Sequence, residues 1–420
     1  MHEFAYRGGA LCAEAAPLEE LARKFGTPLY VYSHATLTGH FERLDRAFAP
    51  VPHLICYSVK SCSNLAVLKT LANAGAGFDI VSGGELHRAL ASGADPGKIV
   101  FAGVGKTGEE ISAALRAGIL FLTVESLAEL DAIERVAARL RATARIAFRI
   151  TPDVDPRTHR YVTTGKAENK FGLDPSRVRD AYRRAMRCRH VRPTAVQMHI
   201  GSQIIDTGPY VEALRKVLPL VRELLRAGVP LEHLDIGGGL GIIYRDENPA
   251  TADRFASAVL PELQGLGLKL VLEPGRFIAG NSGVLLTRVL YLKKSGAKNF
   301  VITDAAMNDL IRPSLYGAYH EILPVRKGRG RSIVADVVGP VCEAGDFLAK
   351  DRKMREPRPG EYLAVMGAGA YGFTMSSNYN SRRRPAEVLV RGARAWLVRE
   401  RETYEDLVRG ERIPAFLWKR

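Results

Sequence analysis

Eight short β-rich runs alternate with amphipathic helical patterns between residues 53 and 275, and this alternation limits the fold more than any other feature of the sequence. Strands that alternate with helices build parallel sheets covered by those helices. Eight such units predict a (β/α)8 barrel, with a doubly wound sheet as the competing architecture. The runs are HLICYSVK (53–60), GFDIVS (77–82), KIVFAG (98–103), FLTVES (121–126), ARIAFRI (144–150), TAVQMHI (194–200), LEHLDIGG (231–238) and LKLVLEPG (268–275).

The segments between these runs carry helix signals. TGEEISAALRAG begins with a threonine and has a glutamate three residues later, which is the pattern of a capping box. LAELDAIERVAARLRA repeats its apolar residues at helical spacing. These segments predict helices that connect successive parallel strands.

The pattern changes after about residue 280, where short β-like runs are separated by glycine and proline turns. This change predicts a second, mostly antiparallel β domain of the β-sandwich or β-barrel type. The first residues contain the run PLYVYSHATL and are expected to join that domain. We therefore expect a barrel over residues 36–280 and a β domain formed by residues 1–35 and 281–420.

The bulk composition excludes several classes of protein. The net charge is +15, but no module that interleaves aromatic and basic residues supports a nucleic-acid partner. No apolar run reaches the roughly 18 residues of a membrane helix, and the N-terminus lacks a secretory pattern. Five single cysteines fit neither a disulfide framework nor a zinc site, so we expect a cytoplasmic protein without a metal.

Four unusual features fall at the ends of predicted barrel strands. Lys60 ends the first strand, His199 the sixth, a glycine run (237–241) follows the seventh, and Glu273 and Arg276 end the eighth. In a (β/α)8 barrel the active site lies at the carboxyl ends of the strands, and a phosphate often binds after strands seven and eight. The sequence therefore predicts that these features meet at one site.

The residue types at this site indicate a particular cofactor. A desolvated lysine can attack a carbonyl, and glycines allow a backbone to approach a phosphate. Pyridoxal 5′-phosphate offers both an aldehyde and a phosphate, and its ring nitrogen needs an acid such as Glu273. His199 either stacks on such a ring or is an ordinary core histidine. The glycine run does not match the G-x-G-x-x-G register, which disfavours a dinucleotide.

Nine stretches of the chain together match one known family. They are CYSVKSCSN, GFDIVSGGEL, ENKFGL, MHIGSQ, LDIGGGLGI, LEPGR, DAAMNDLIRPSLYGAYHEI, GPVCEAGDF and MGAGAYGFTMSSNYNSRRRPAEVLV. In these stretches the chain resembles the fold-type III, alanine-racemase-like family of pyridoxal-phosphate decarboxylases of basic amino acids, and within it the diaminopimelate branch. The family's lysine segment more often has alanine and asparagine around the lysine, where this chain has Ser58 and Ser61–Cys62.

The resemblance implies a role for individual residues at the cofactor. Lys60 holds the aldehyde as a Schiff base, Asp79 supports the lysine region, and His199 stacks on the ring. Glu273 pairs with the ring nitrogen. The phosphate is implied to lie against Ser202, Gly237, Gly238, Gly239, Gly275, Arg276 and Tyr371.

The resemblance also implies how substrate is bound and how a proton is returned. Cys342 protonates the carbanion and Glu343 takes the distal ammonium, both reaching the barrel of a partner subunit in a homodimer. The remaining substrate-binding residues are implied to be Arg276, Arg312, Tyr316 and Tyr371.

The implied reaction is decarboxylation of meso-2,6-diaminopimelate to L-lysine and CO2, the last step of lysine biosynthesis. The alternatives are a related decarboxylase of ornithine, lysine, arginine or carboxynorspermidine, and a non-catalytic regulator that binds the same cofactor. Such a regulator would be expected to lose the proton donor or the substrate arginines, and this chain keeps both.

Overall fold

The structure is a computed structural model that describes residues 2–155 and 170–418. It divides into two compact units. The barrel unit comprises His34–Ser282 and Gly369–Thr374, and the β unit comprises Glu3–Ser33, Gly283–Ala368 and Met375–Arg420. The first two residues of the ENKFGL stretch, 168 and 169, lie outside the described residues.

The chain enters through the β unit. Strands β1 (Phe4–Arg7), β2 (Ala10–Ala13) and β3 (Ala16–Pro17) pair antiparallel in a small sheet. Helix α1 (Leu18–Phe25) follows and turns Leu18, Leu21 and Ala22 inward. Strand β4 (Leu29–Ser33) is buried at every position, which fits the apolar run predicted there.

The barrel unit contains a closed barrel of eight parallel strands, as the eight alternating runs predict. Sequential strands are neighbours, and the eighth closes on the first through the pairing of Leu270 with His53. The strands are β5 (His53–Ser58), β6 (Gly77–Ile80), β7 (Ile99–Phe101), β8 (Phe121–Val124), β9 (Ala144–Ile150), β10 (Val191–Met198), β11 (His233–Asp235) and β12 (Lys269–Leu272).

Helices of the barrel unit connect these strands. Helix α5 begins at the predicted capping box, in which Thr107 and Glu110 bond each other's backbone. The helices are α2 (His34–Phe48), α3 (Leu65–Asn73), α4 (Gly83–Ala91), α5 (Gly108–Ala117), α6 (Leu127–Leu140), α7 (Pro175–Arg187), α8 (Gly208–Arg226), α9 (Ala252–Val259) and the short α10 (Arg276–Ala279).

Small and large apolar side chains from six of the eight strands fill the barrel interior. This packing makes the barrel a solid core, so the strand ends are fixed and can position side chains accurately. The cluster comprises Leu54, Cys56, Val100, Phe121, Ala147, Ala195 and Val271. No helix among the described residues is long and apolar enough to cross a membrane.

The rest of the β unit forms a nine-stranded sheet that branches at one long strand, β13. Most pairings are antiparallel, as predicted, but β4 with β19 and β14 with β16 are parallel. The elements are β13 (Gly283–Ser295), β14 (Lys298–Thr303), α11 (Arg312–Tyr316), β15 (Ile322–Pro324), β16 (Ser332–Val338), β17 (Phe347–Arg355), β18 (Tyr362–Val365), β19 (Ala386–Arg391), β20 (Arg394–Arg399) and α12 (Tyr404–Leu407).

A short segment that follows β18 in the sequence belongs to the barrel unit. The segment Gly369–Thr374 belongs to the barrel unit, although the sequence placed it in the β domain. It is tied there by two backbone hydrogen bonds, from Gly369 N to Gly280 O (3.0 Å) and from Tyr371 N to Ser61 O (2.8 Å). The sequence pattern missed this excursion because six residues carry too little periodicity to assign.

Candidate active site

Lys60 lies in a 3₁₀ turn, Val59–Ser61, immediately after β5 rather than within the strand. Its side chain is 39% exposed, and Nζ donates to Asp79 Oδ2 at 2.9 Å. Burial lowers the pKa of Lys60, but the carboxylate of Asp79, with Tyr371 and Glu273, outweighs it and raises the pKa above its ordinary value. The free amine is therefore a cation at neutral pH.

Asp79 is a fully buried acid on β6, beside Ser58 in the parallel register of β5 and β6. Its Oδ2 accepts from both Lys60 Nζ and Ser58 Oγ. The Ser58 hydroxyl is therefore a second side-chain donor to the acid that holds the lysine.

The glycine run after β11 packs where no side chain could fit. A Cβ on Gly238 would lie 2.0 Å from the carbonyl oxygen of Glu273, and one on Gly239 would lie 2.3 Å from that of Gly201. Gly237 and Gly239 also have positive φ, +69° and +111°. Gly275 is also confined, because a Cβ there would lie 2.9 Å from Ser58 Cβ.

His199 follows β10 and is oriented by the glycine run. The Gly238 N–H donates to His199 Nδ1 at 3.2 Å, so the ring proton of the neutral histidine lies on Nε2. Burial, followed by the cations of Arg149 and Lys60, lowers the pKa of His199 well below its usual value. The ring is therefore neutral, flat and fixed in orientation.

Glu273 follows β12, and its side chain is surrounded by other acids. Its Oε2 accepts from Gln197 Nε2 at 3.3 Å, whereas no donor within residues 2–155 and 170–418 reaches Oε1. Burial and then Asp79 raise the pKa of Glu273 to about 7, and Lys60 opposes them. The unsatisfied oxygen can accept from a donor that a ligand brings.

Arg276 begins α10, is 6% exposed, and is held by side chains from three segments. Its guanidinium donates to Ser202 Oγ at 3.0 Å and to the Tyr244 hydroxyl at 2.7 Å. Tyr371 adopts φ +56° and places its ring 4.9 Å from the guanidinium carbon. Ser202, Arg276 and Tyr371, three of the residues named from the sequence, therefore form one cluster.

In the β unit, Arg312 is buried at the start of α11 and is fixed by a histidine. His320 Nδ1 donates to Met366 O at 2.8 Å, so His320 Nε2 is free to accept from Arg312 Nη1 at 2.9 Å. Tyr316 ends the same helix and is half-buried. The guanidinium is thus oriented while remaining a cation.

Cys342 and Glu343 are both exposed, on the loop between β16 and β17 of the β unit. The loop backbone is fixed, because Asp346 accepts from Val341 N at 2.8 Å and Asn380 Oδ1 accepts from Cys342 N at 2.8 Å. Cys342 therefore presents an accessible thiol on a fixed backbone.

Sequence reasoning missed several groups that shape the barrel site. Arg149 is 6% exposed at the end of β9, and Nη1 donates to Glu125 Oε1 at 3.2 Å. Asp235 is fully buried at the end of β11. Each had a sequence signal, namely a charge inside an apolar run (ARIAFRI and LDIGGG). Gln197 and Tyr244 carried no such signal.

The barrel site has one group for each part of pyridoxal 5′-phosphate. Lys60 offers a half-exposed amine for the aldehyde. The confined glycines 237–239 and Gly275 offer a surface without side chains for the phosphate. The donor-free Oε1 of Glu273 matches a protonated ring nitrogen. The residues of the barrel site therefore fit pyridoxal 5′-phosphate.

Comparison with known proteins agrees with this fit. Residues 34–280 match the family described as pyridoxal-dependent decarboxylase, pyridoxal binding domain. The chain is 50% identical over 413 residues to a diaminopimelate decarboxylase of Pseudomonas aeruginosa, covering 98% of this chain and 99% of that one.

Solved structures agree as well. The diaminopimelate decarboxylase of Helicobacter pylori, complexed with L-lysine, superposes with a TM-score of 0.91 at 43% identity, covering 93% of this chain and 98% of that one. The M. jannaschii enzyme, also with L-lysine, gives 0.94 at 37% identity over 99% and 100%. The chain therefore belongs to the pyridoxal-dependent decarboxylase family, in its diaminopimelate decarboxylase branch.

Proposed function

We propose that this protein decarboxylates meso-2,6-diaminopimelate to L-lysine and CO2 with pyridoxal 5′-phosphate, as the last step of lysine biosynthesis. The observation that carries the proposal is the meeting of an amine, a side-chain-free glycine turn and an unsatisfied buried carboxylate at the carboxyl ends of the barrel strands. The 50% identity to a diaminopimelate decarboxylase supports the choice of substrate.

The barrel residues hold the cofactor. Lys60 would bind the aldehyde carbon, and the N–H groups of the glycine turn, with Ser202, would bind the phosphate. Glu273 would accept from the ring nitrogen, and the fixed neutral ring of His199 would pack against the cofactor ring. When bound, pyridoxal phosphate accepts the electron pair left behind by departing CO2.

Asp79 controls the proton on Lys60. Its carboxylate stabilises the ammonium form, so the amine must lose a proton from Nζ before it can bind a carbonyl carbon. The Ser58 hydroxyl donates to the same oxygen and reduces the charge that Asp79 presents to the amine. Together these groups hold Lys60 Nζ in a fixed orientation.

Cationic and polar groups suit a substrate with two carboxylates and two ammonium groups. Arg276 and Arg312 each offer an oriented guanidinium for a carboxylate, and Tyr316 and Tyr371 offer hydroxyls. Glu343 offers a negative charge for the distal ammonium. Removal of one carboxylate from such a substrate leaves the product with one, which is the composition of lysine.

The carbon that loses CO2 must gain one proton. Cys342 can supply it from Sγ, because its thiol is exposed on a fixed loop, and solvent can then return a proton to the thiolate. We propose that Cys342 and Glu343 act in the active site of a partner subunit, so that the working form is a homodimer. All five cysteines are free thiols, which suits a cytoplasmic protein.

The substrate proposal is tested with a panel of amino acids. The purified, cofactor-loaded protein is offered meso-, LL- and DD-diaminopimelate, ornithine, lysine and arginine, and CO2 release is measured. We expect release from the meso isomer and L-lysine as product. Turnover of ornithine without turnover of diaminopimelate would replace this proposal with the related decarboxylase.

The shared-site proposal is tested by mixing two inactive variants, Lys60→Ala and Cys342→Ala. Refolded mixtures should recover about a quarter of wild-type activity, because half of the dimers are mixed and each of these has one intact site. Lys69→Ala, an exposed lysine of the same unit, is the matched control and should keep full activity. Mixtures that stay inactive, despite exchange of subunits shown by a mass tag, count against shared sites.

A further inference from the structure

Asp235 is a completely buried acid with one satisfied oxygen. It is the last residue of β11, two positions before the glycine turn. Its Oδ1 accepts from the Gly237 N–H at 2.8 Å, and no donor in the described part of the chain reaches Oδ2. An ionised carboxylate with an unsatisfied oxygen at zero exposure would be costly.

Strand register places the two acids together: Asp235 pairs with Val271 on β12 and with Gln197 on β10, so its side chain shares the inner face of the barrel with Glu273, two residues after Val271. Gln197 Nε2 also donates to Glu273 Oε2 at 3.3 Å, and the two carboxyl groups interact directly. Oδ2 of Asp235 has no donor, and the Glu273 carboxylate beside it can accept several hydrogen bonds on its two oxygens, so that Oε1 can also accept from the cofactor. Two neighbouring carboxyl groups that are both buried do not both ionise, because water does not screen the repulsion between their charges. One proton between them converts an unfavourable contact into a hydrogen bond.

The surrounding charges decide which acid keeps the proton. Burial and then Asp79 raise the pKa of Glu273 to about 7, but Lys60 and Arg149 oppose this rise and favour a negative charge on Glu273. Burial first, and then Glu273 and Asp79, raise the pKa of Asp235 well above its usual value. A neighbouring Cys56 thiol, whose pKa burial raises well above normal, adds no charge.

We propose that Asp235 is a permanently neutral carboxylic acid that donates a hydrogen bond to Glu273 while accepting one from Gly237. The pair then carries one negative charge, on Glu273, and one proton, on Asp235. Asp235 is a positioning residue: it links the acid that faces the cofactor ring to the turn that faces its phosphate. Its effect on the cofactor rests on the proposed function, whereas the hydrogen bond itself does not.

The proton can be detected without any reaction. Infrared spectra of the apoprotein at pH 8.5 should contain a carbonyl band of a protonated carboxylic acid that shifts in D2O. The band should be absent in Asp235→Asn and present in Asp253→Asn, an exposed aspartate of the same unit. A band that persists in Asp235→Asn but disappears in Glu273→Gln puts the proton on Glu273 and overturns the proposal.

Two substitutions test whether cofactor binding needs a neutral group or a negative charge at residue 235. Asp235→Asn keeps a donor for Glu273 and an acceptor for Gly237, so its affinity for pyridoxal phosphate should fall by less than about threefold. Asp235→Leu keeps the size but loses both hydrogen bonds, and its affinity should fall about 30- to 100-fold. Affinity is measured by absorbance titration, with thermal unfolding as the test of fold.

Equal, large losses of cofactor affinity in both variants would show that a negative charge is required at residue 235, and would overturn the proposal. If Asp235→Leu does not fold, Asp235→Asn and the infrared band decide. These measurements use no substrate. A failure of the diaminopimelate assay would therefore leave them unchanged, and the two proposals can fail separately.

Discussion

The cofactor-facing groups of the barrel unit and the GPVCEAGDF loop of the β unit are built in opposite ways. In the barrel, Lys60 donates to Asp79 and Gln197 donates to Glu273, and both of these acids are buried. On the loop, Cys342 and Glu343 are exposed, and the backbone at Cys342 is fixed by Asn380. The barrel groups are tuned by burial and charge, whereas the loop groups are placed by the backbone and kept accessible.

One buried acid from each unit shows how the hydrogen bonding of the two units differs. Burial raises the pKa of both Glu273 in the barrel and Asp309 in the β unit to about 7. Both oxygens of Asp309 accept hydrogen bonds, from Ala306 N at 2.9 Å and Asn308 Nδ2 at 3.2 Å. Glu273 keeps one oxygen without a donor. Equal pKa values therefore do not identify a ligand site, and the unsatisfied atom separates the two acids.

The largest expected effect concerns the closely packed glycine turn of the barrel unit. Gly238→Ala places a Cβ 2.0 Å from the Glu273 carbonyl, and the backbone cannot withdraw easily because Glu273 N donates to Gly237 O at 2.8 Å. We expect overpacking of about 3 kcal/mol, seen as a loss of pyridoxal phosphate affinity of roughly 100-fold or as a lower melting temperature. Gly105→Ala, with open space around its Cβ, should behave as wild type. Unchanged binding by Gly238→Ala would show that the turn is pliable.

The second prediction tests whether Arg312 of the β unit binds the substrate without affecting the cofactor. Arg312→Ala removes a buried cation from His320 and should raise KM for diaminopimelate about 100-fold with a smaller change in kcat. Cofactor affinity should stay as in wild type. Arg394→Ala, an exposed arginine of the same unit, is the control. A change in cofactor affinity without a change in KM would contradict the substrate role.

Asp309 should make the stability of the β unit depend on pH without any effect on the cofactor site. Because the folded-state pKa of Asp309 is raised, to about 7, its contribution is fully present below about pH 4 and is lost as pH rises through 7. Asp309→Asn should remove on the order of 2 kcal/mol of this decline in the free energy of unfolding. Urea unfolding at pH 5 and pH 8 measures it, and cofactor affinity should not change. An identical pH slope in variant and wild type would disprove the titration.

The smallest effect concerns the outer layer of the barrel unit. Gly39 lies inside α2, and a Cβ there meets nothing within 4 Å. Gly39→Ala should raise stability by about 0.5–1 kcal/mol, because alanine loses less conformational freedom in a helix. Urea unfolding and CO2 release are the measurements. Activity that changes with this substitution would show that the helical layer is coupled to the site more tightly than the contacts indicate.

Much of the barrel was predictable because its signals are local. Each of the eight runs contains a strand, and the Thr107 capping box lies where the sequence placed it. The β unit was less predictable, since β4 with β19 and β14 with β16 pair in parallel over long sequence separations. Pairing partners depend on the whole sheet and leave no mark in a short run.

The sequence by itself determined the alternation of strands and helices, the lysine, the glycine turn and the acid at the strand ends, because backbone preference and periodicity are properties of neighbouring residues. Tertiary structure alone decided that Tyr371 returns to the barrel unit and that Ser58 shares Asp79 with Lys60. It also decided that Asp235 meets Glu273 away from water. Those outcomes depend on burial and on charge at close range, and both exist only after distant segments have packed together.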